Sequence, residues 1–211
     1  MSGSIPCDLL AEAYTAMYEW RTTLRQRGVT PPPRAKEAAR NQFRQLAIDK
    51  WKERLAHARV GLRAVGAIRP VLKDWVDRRP KGLPFRTVQV LTGHGCFGEY
   101  LHEKARREPT TQCHHCEEER DTAQHTLADC PAWDAQRRVL IATVGGDLSL
   151  PAIVSQMVES EDAWDAMVSF CEQVMAQKEA AEREREDDPS SDPIRRRRGG
   201  ARRRTYALQN P

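Results

Sequence analysis

The chain has 211 residues, of which 39% are hydrophobic and 30% charged, with a formal net charge of +4 and six cysteines. That length holds one ordinary domain, or a small domain with extended helical arms, and the high charge favours the second. No apolar run reaches the roughly 18 residues of a membrane span, and "MSGSIPCDLL" lacks the basic and apolar regions of a secretory signal, so a soluble intracellular protein is expected.

A first helix is predicted to open after Ser4, with Pro6 in its first turn and Leu9, Leu10, Tyr14, Met17, Tyr18 and Leu24 near one face. The run "GVTPPP" ends it, because consecutive prolines cannot continue a helix. A second helix is expected from about Arg34 to Ala58, with Phe43, Leu46, Ala47, Trp51 and Leu55 as its apolar stripe. Its other face carries Arg40, Arg44, Lys50, Lys52 and Arg54, which suits either solvent or phosphate. The stretch "PVLKDWVDRR" reads as a short helix, and "FRTVQVL" as either a strand or a helix. Further on, "AWDAQRRVL" and "LPAIVSQMV" read as short helices. A long helix then starts at Ser160, with Glu161 and Asp162 in its first turn and Trp164, Met167, Val168, Cys171, Val174 and Met175 as its stripe. After Lys178 the stripe stops, and "EAAEREREDDPSSDP" is expected to run into solvent and then disorder.

Charge is segregated along this order. Between Arg21 and Val60 eleven Lys or Arg stand against three Asp or Glu, and "RRRRGGARRR" adds Arg195, Arg196, Arg197, Arg198, Arg202, Arg203 and Arg204. Residues 113–134 hold six acids against Arg120 alone. Planar guanidinium forks suit phosphates, and the arginine cluster also suits a nuclear import address. The expected organisation is an N-terminal helix over 1–30, a basic helical region over 31–84, and a helical hairpin plus metal module over 85–145. C-terminal helices over 146–188 and a disordered arginine-rich tail over 189–211 complete it.

The strongest chemical signal is Cys113-x2-Cys116-x8-His125-x4-Cys130. Zinc favours four soft or borderline ligands in a tetrahedron, and a C-x2-C turn delivers two thiolates from one tight loop. Four protein ligands leave no open position for an activated water, so the site reads as structural. His114 and His115 compete with His125 in principle, but both lie between the paired cysteines, where reaching the same ion strains the loop. A redox C-x-x-C pair is the alternative, and the H-x-E and P-C-x-x-C spacing of a zinc deaminase is absent.

Other matches carry less. "GHGCFG" satisfies G-x-G-x-x-G, but the metal loop begins at Cys113, which leaves no room for the crossover of a dinucleotide fold; the glycines read as a bend between helices. Asp187-Asp188 is the only Asp-Asp pair and sits in a charged run, so no two-metal site is expected and the chain alone is not expected to catalyse a reaction.

Residues 91–140, "LTGHGCFGEYLHEKARREPTTQCHHCEEERDTAQHTLADCPAWDAQRRVL", closely resemble the segment near the carboxyl end of the polymerase polyproteins of non-LTR retrotransposons, most of all the insect elements that insert in ribosomal RNA genes. Leu91-Thr92-Gly93-His94-Gly95, Tyr100-Leu101-His102, the four ligands, Cys130-Pro131 and Arg137-Arg138 carry the likeness. It extends less sharply from "IPCDLLAEAYTAMYEW" to "ESEDAWDAMVSFCEQVMAQKEAAERERE". The resemblance implies a piece of a polyprotein whose upstream remainder holds an endonuclease and a reverse transcriptase, with magnesium needed only in those absent domains. It also implies that the CCHC zinc knuckle assists binding of element RNA or target DNA, in the nucleus.

The acids around the ligands oppose phosphate, so zinc is expected to fold the segment while Lys104, Arg106, Arg107, the Arg34–Arg59 face and the tail meet nucleic acid. The fold expected is mostly α: irregular helical arms around a small zinc-knuckle module, with a disordered basic tail. The competing reading is a stand-alone zinc-stapled adaptor that shows partners an acidic loop and the Trp164–Met175 stripe. A secreted disulfide protein is a third, and predicts no free thiols.

Overall fold

The computed structural model describes residues 4–78 and 82–195. In chain order its helices are α1 (Cys7–Gln26), α2 (Pro33–Ala56), α3 (Leu62–Ile68), α4 (Leu72–Asp77), α5 (Phe85–Thr92), α6 (Gly98–Glu103), α7 (Asp134–Val144), α8 (Leu150–Glu159) and α9 (Glu161–Asp187). Among the described residues there is no strand, and no helix is long and apolar enough to cross a membrane. The described residues fold as two compact units, those within 1–82 together with 150–160, and those within 83–149 together with 161–195.

In the first unit, Gly28 takes a left-handed φ of 69° after α1, and Pro33 starts α2, where a missing N–H costs nothing. α1 and α2 are antiparallel, as two cross-links show: Lys50 meets Glu12 at 2.6 Å, and Arg54 meets Asp8 at 2.7 Å. Leu9, Ala13, Ala16, Phe43 and Ala47 line the groove between them. α3 was not anticipated, because seven residues with a central glycine show too little periodicity; Gly61 starts it with a φ of 65°, and Ala64, Ala67 and Ile68 are buried. It packs on α8, whose Leu150, Ile153, Val154 and Met157 are buried at helical spacing. Trp75 of α4 is fully buried, with the Arg78 guanidinium 4.1 Å from its ring centre.

The second unit is built on α9, which packs against α5 and α7. Trp164, Met167, Phe170, Cys171, Val174, Met175 and Lys178 are buried along one side of α9, so the apolar stripe read from the sequence is internal core. "FRTVQVL" resolves as helix α5, and Gly93 ends it with a φ of 75°, followed by the expected bend into α6.

The expectation that the chain leaves for solvent after Lys178 is corrected. Along the last turns of α9, Glu179, Glu182 and Glu186 return at helical spacing to face two arginines and are largely covered: Arg86 holds Glu179 at 2.8 Å, and Arg107 holds Glu182 at 3.2 Å and also Glu186. Counting such a stretch as solvated neglects partners that lie far away in sequence.

Candidate metal centre

Two short loops bring the four ligands together. Residues 111–121 double back on themselves, with Cys113 N–H donating to Glu118 O at 2.8 Å and Asp121 N–H donating to Thr111 O at 2.8 Å. Glu117 N–H donates to Cys113 O at 2.9 Å, and Glu117 takes a left-handed φ of 64°, which turns the chain after Cys116. The second loop is a single wide turn, His125–Asp129, in which Cys130 N–H donates to His125 O at 2.8 Å. That bond explains the x4 spacing, since one π-type turn sets His125 and Cys130 side by side. Thr122 Oγ1 accepts the His125 N–H at 2.9 Å and caps the turn.

The outcome is a Cys113, Cys116, His125, Cys130 cluster with all ligand atoms within 4.8 Å of one another. Cys113 Sγ lies 4.0 Å from Cys130 Sγ, and Cys116 Sγ 3.2 Å from His125 Nε2. Zinc–sulfur bonds of about 2.3 Å at tetrahedral angles set sulfurs about 3.8 Å apart, so the cluster fits one such ion. Cys113 and Cys130 are fully buried, whereas Cys116 and His125 are half-buried at an open groove shared with Glu118, Arg120 and Asp129. Burial pushes both interior thiols up, that of Cys130 to about 12, so a metal binding there displaces protons.

The flanking histidines have other partners. His114 Nε2 stands 3.4 Å from Glu108 Oε2, and His115 packs on Trp133 with ring centres 4.8 Å apart. Burial pushes His115 down to about 4, so it is neutral against that ring.

Three supports of the cluster have roles that no local sequence pattern shows. Asp121 and Lys178 form a buried pair, with Nζ 2.9 and 2.8 Å from the two carboxylate oxygens, and Gly98 N–H and Thr126 Oγ1–H donate to the same carboxylate. This ties the ligand loops to α9 and to the start of α6. Gly98 allows the approach: a Cβ there would stand 2.5 Å from Thr111 O. Buried Arg137 donates from Nε to Leu127 O at 3.0 Å and from a terminal nitrogen to Cys130 O, bracing the second loop.

The candidate nucleic-acid residues are distributed differently. Arg44 pairs with Asp77, while Lys50 and Arg54 hold α1 carboxylates; Lys52 reaches Pro70 O at 3.4 Å, and Arg40 is exposed. Lys104 and Arg106 are exposed, and Arg107 pairs with α9. Arg195 donates to Glu108 at 2.8 Å. Arg196, Arg197, Arg198, Arg202, Arg203 and Arg204 lie outside the described residues.

No family model and no solved structure matches the chain. Among curated proteins it is similar to the Pol polyprotein from type-1 retrotransposable element R1 4 of Nasonia vitripennis, 30% identical over 135 residues, which cover 62% of this chain and 33% of that one. It is also similar to the Pol polyprotein from type-1 retrotransposable element R1 of Popillia japonica, 29% identical over 102 residues, which cover 48% and 39%. The chain thus spans well under half the length of each. On these likenesses, as on the motifs of residues 91–140, it is a region related to the Pol polyproteins of insect non-LTR retrotransposons.

Proposed function

We propose that the chain is a noncatalytic, nucleic-acid-binding carboxyl-terminal region of a retrotransposon polyprotein. The full-length protein would be an RNA-directed DNA polymerase with an endonuclease, priming reverse transcription on its cut target in the nucleus. The observation that carries the reading is the cluster of three thiols and one imidazole in a chain related to Pol polyproteins. Cys113, Cys116, His125 and Cys130 would hold zinc, with all four positions filled by protein. Bound there, the ion supplies cross-linking of two loops and no activated water. The chain's own residues do the rest: Arg137 and the Asp121–Lys178 pair orient the loops. Glu118 and Asp129 at the groove beside Cys116 and His125 oppose phosphate, which leaves that role to basic residues elsewhere, Arg40, Lys104 and Arg106 among them.

The test is binding of single-stranded RNA and of duplex DNA by the zinc-loaded chain across a salt series. Affinity falling linearly on a log–log salt plot supports the reading, with a slope of roughly −0.7 per phosphate contact for a single strand. No binding to either nucleic acid, together with capture of a purified partner protein, would transfer support to the adaptor reading.

A further inference from the structure

α1 is amphipathic, but two of its large side chains are on the wrong side for a core: Tyr14 is 71% exposed and Tyr18 70%. Single exposed aromatics are ordinary; here two lie one turn apart, and the same row continues into Arg21 and Arg25. The spacing i, i+4, i+7, i+11 keeps all four on one face. Both arginines are exposed, and among the described residues neither has an ion-pair partner. The acids of α1 lie elsewhere: Asp8 and Glu12 are held by Arg54 and Lys50 of α2, and Glu19 lies roughly 100° round the helix from Tyr18.

From this row we infer a binding surface for single-stranded nucleic acid on α1, with bases on Tyr14 and Tyr18 and backbone phosphates on Arg21 and Arg25. Four residues of helix rise about 6 Å. A base slid between two rings needs about 7 Å, twice the 3.4 Å stacking repeat, so the tyrosine pair is spaced to clasp one base. Aromatic faces accept any base, which predicts low sequence preference, and guanidinium groups next along the helix suit the following phosphates. A partner helix would instead favour an apolar row of full length, whereas this one changes to cations after Tyr18. The inference rests on the nucleic-acid reading above, and adds a place and a strand type to it.

The experiment uses the full zinc-loaded chain and a short fluorescein-labelled RNA of mixed sequence, read by anisotropy. The combined Tyr14→Ala, Tyr18→Ala variant is expected to bind at least about tenfold more weakly, while Tyr14→Phe, Tyr18→Phe keeps most of the affinity, because stacking needs the ring and not the hydroxyl. Arg21→Gln with Arg25→Gln is expected to reduce the salt slope by roughly 1.4. Ultraviolet cross-links mapped to α1 add support. The side chains are exposed, so circular dichroism should be unchanged in all variants, which separates loss of binding from loss of fold. Unchanged RNA affinity in the alanine pair overturns the inference alone, as does equal competition by unlabelled duplex. A change confined to self-association would mark α1 as a contact between copies, and overturns it too. If the unaltered chain binds no nucleic acid, the broader reading falls first.

Discussion

Asp121 and Lys178 are nearly inaccessible, at 4% and 1% side-chain exposure, and each compensates a charge that the interior would otherwise exclude. Removing one partner strands the other: Lys178→Met leaves a buried carboxylate with only Gly98 N–H and Thr126 Oγ1–H, and is expected to cost about 3–5 kcal/mol in chemical denaturation. Combining it with Asp121→Asn should cost clearly less than the two single changes summed, since neither charge then remains. Additive losses would show that the pair is not coupled. Gly98 presents a steric version of the same dependence. Gly98→Ala forces the Thr111 carbonyl away and is expected to cost about 1–3 kcal/mol, whereas Gly146→Ala, with nothing within 4 Å, should be close to neutral. Equal melting temperatures for the two variants would refute the close approach.

Glu108 shows how separate elements are joined by one buried side chain. Its carboxylate, 2% exposed, meets His114 of the first ligand loop, Arg185 of α9 and Arg195 beyond it. Burial raises its pKa, but the hydrogen bonds from His114 and Arg195 outweigh that and hold it below the ordinary value of 4.5. A carboxylate held down in the folded state adds stability above its unfolded pKa and loses it as pH falls through the folded one. Glu108→Gln should therefore be less stable than the unaltered protein at neutral pH, and the gap should close below about pH 4.5. A gap independent of pH would mean that packing, not charge, sets the contribution. Such links also mark what the sequence did not reveal. The ligand quartet and the helix ends at "GVTPPP" and Gly93 were legible because their causes are local: a spacing, a fixed φ, a residue without Cβ. Glu108 with Arg195, separated by 87 positions, and Asp121 with Lys178, separated by 57, depend on packing that no periodicity encodes. The same reason hid the ion pairs that cover α9 beyond Lys178.

At the scale of the whole molecule, the candidate metal ligands and the supports described above fall within the second unit, whereas the α1–α2 hairpin belongs to the first. The first unit has its own core of Ile48, Trp51, Ile68, Leu72, Trp75 and Ile153, each at most 6% exposed. The second has a comparable stripe on α9, but its ligand loops are short irregular segments held by a few backbone bonds and by the Asp121 and Arg137 contacts. Structural zinc contributes on the order of 10 kcal/mol in small modules, which exceeds what these loops gain from the Asp121 and Arg137 contacts. Chelation, or Cys113→Ser, should therefore release amide protection first in residues 111–130, then in α6 and α7, which those loops brace. α2, α3 and α8 should keep theirs. Hydrogen exchange followed by mass spectrometry resolves the two sets of segments. Uniform loss across both units would show that the chain unfolds as one cooperative body. Unchanged protection in residues 111–130 would show that the loops stand without metal, and the cluster would then lose its structural role.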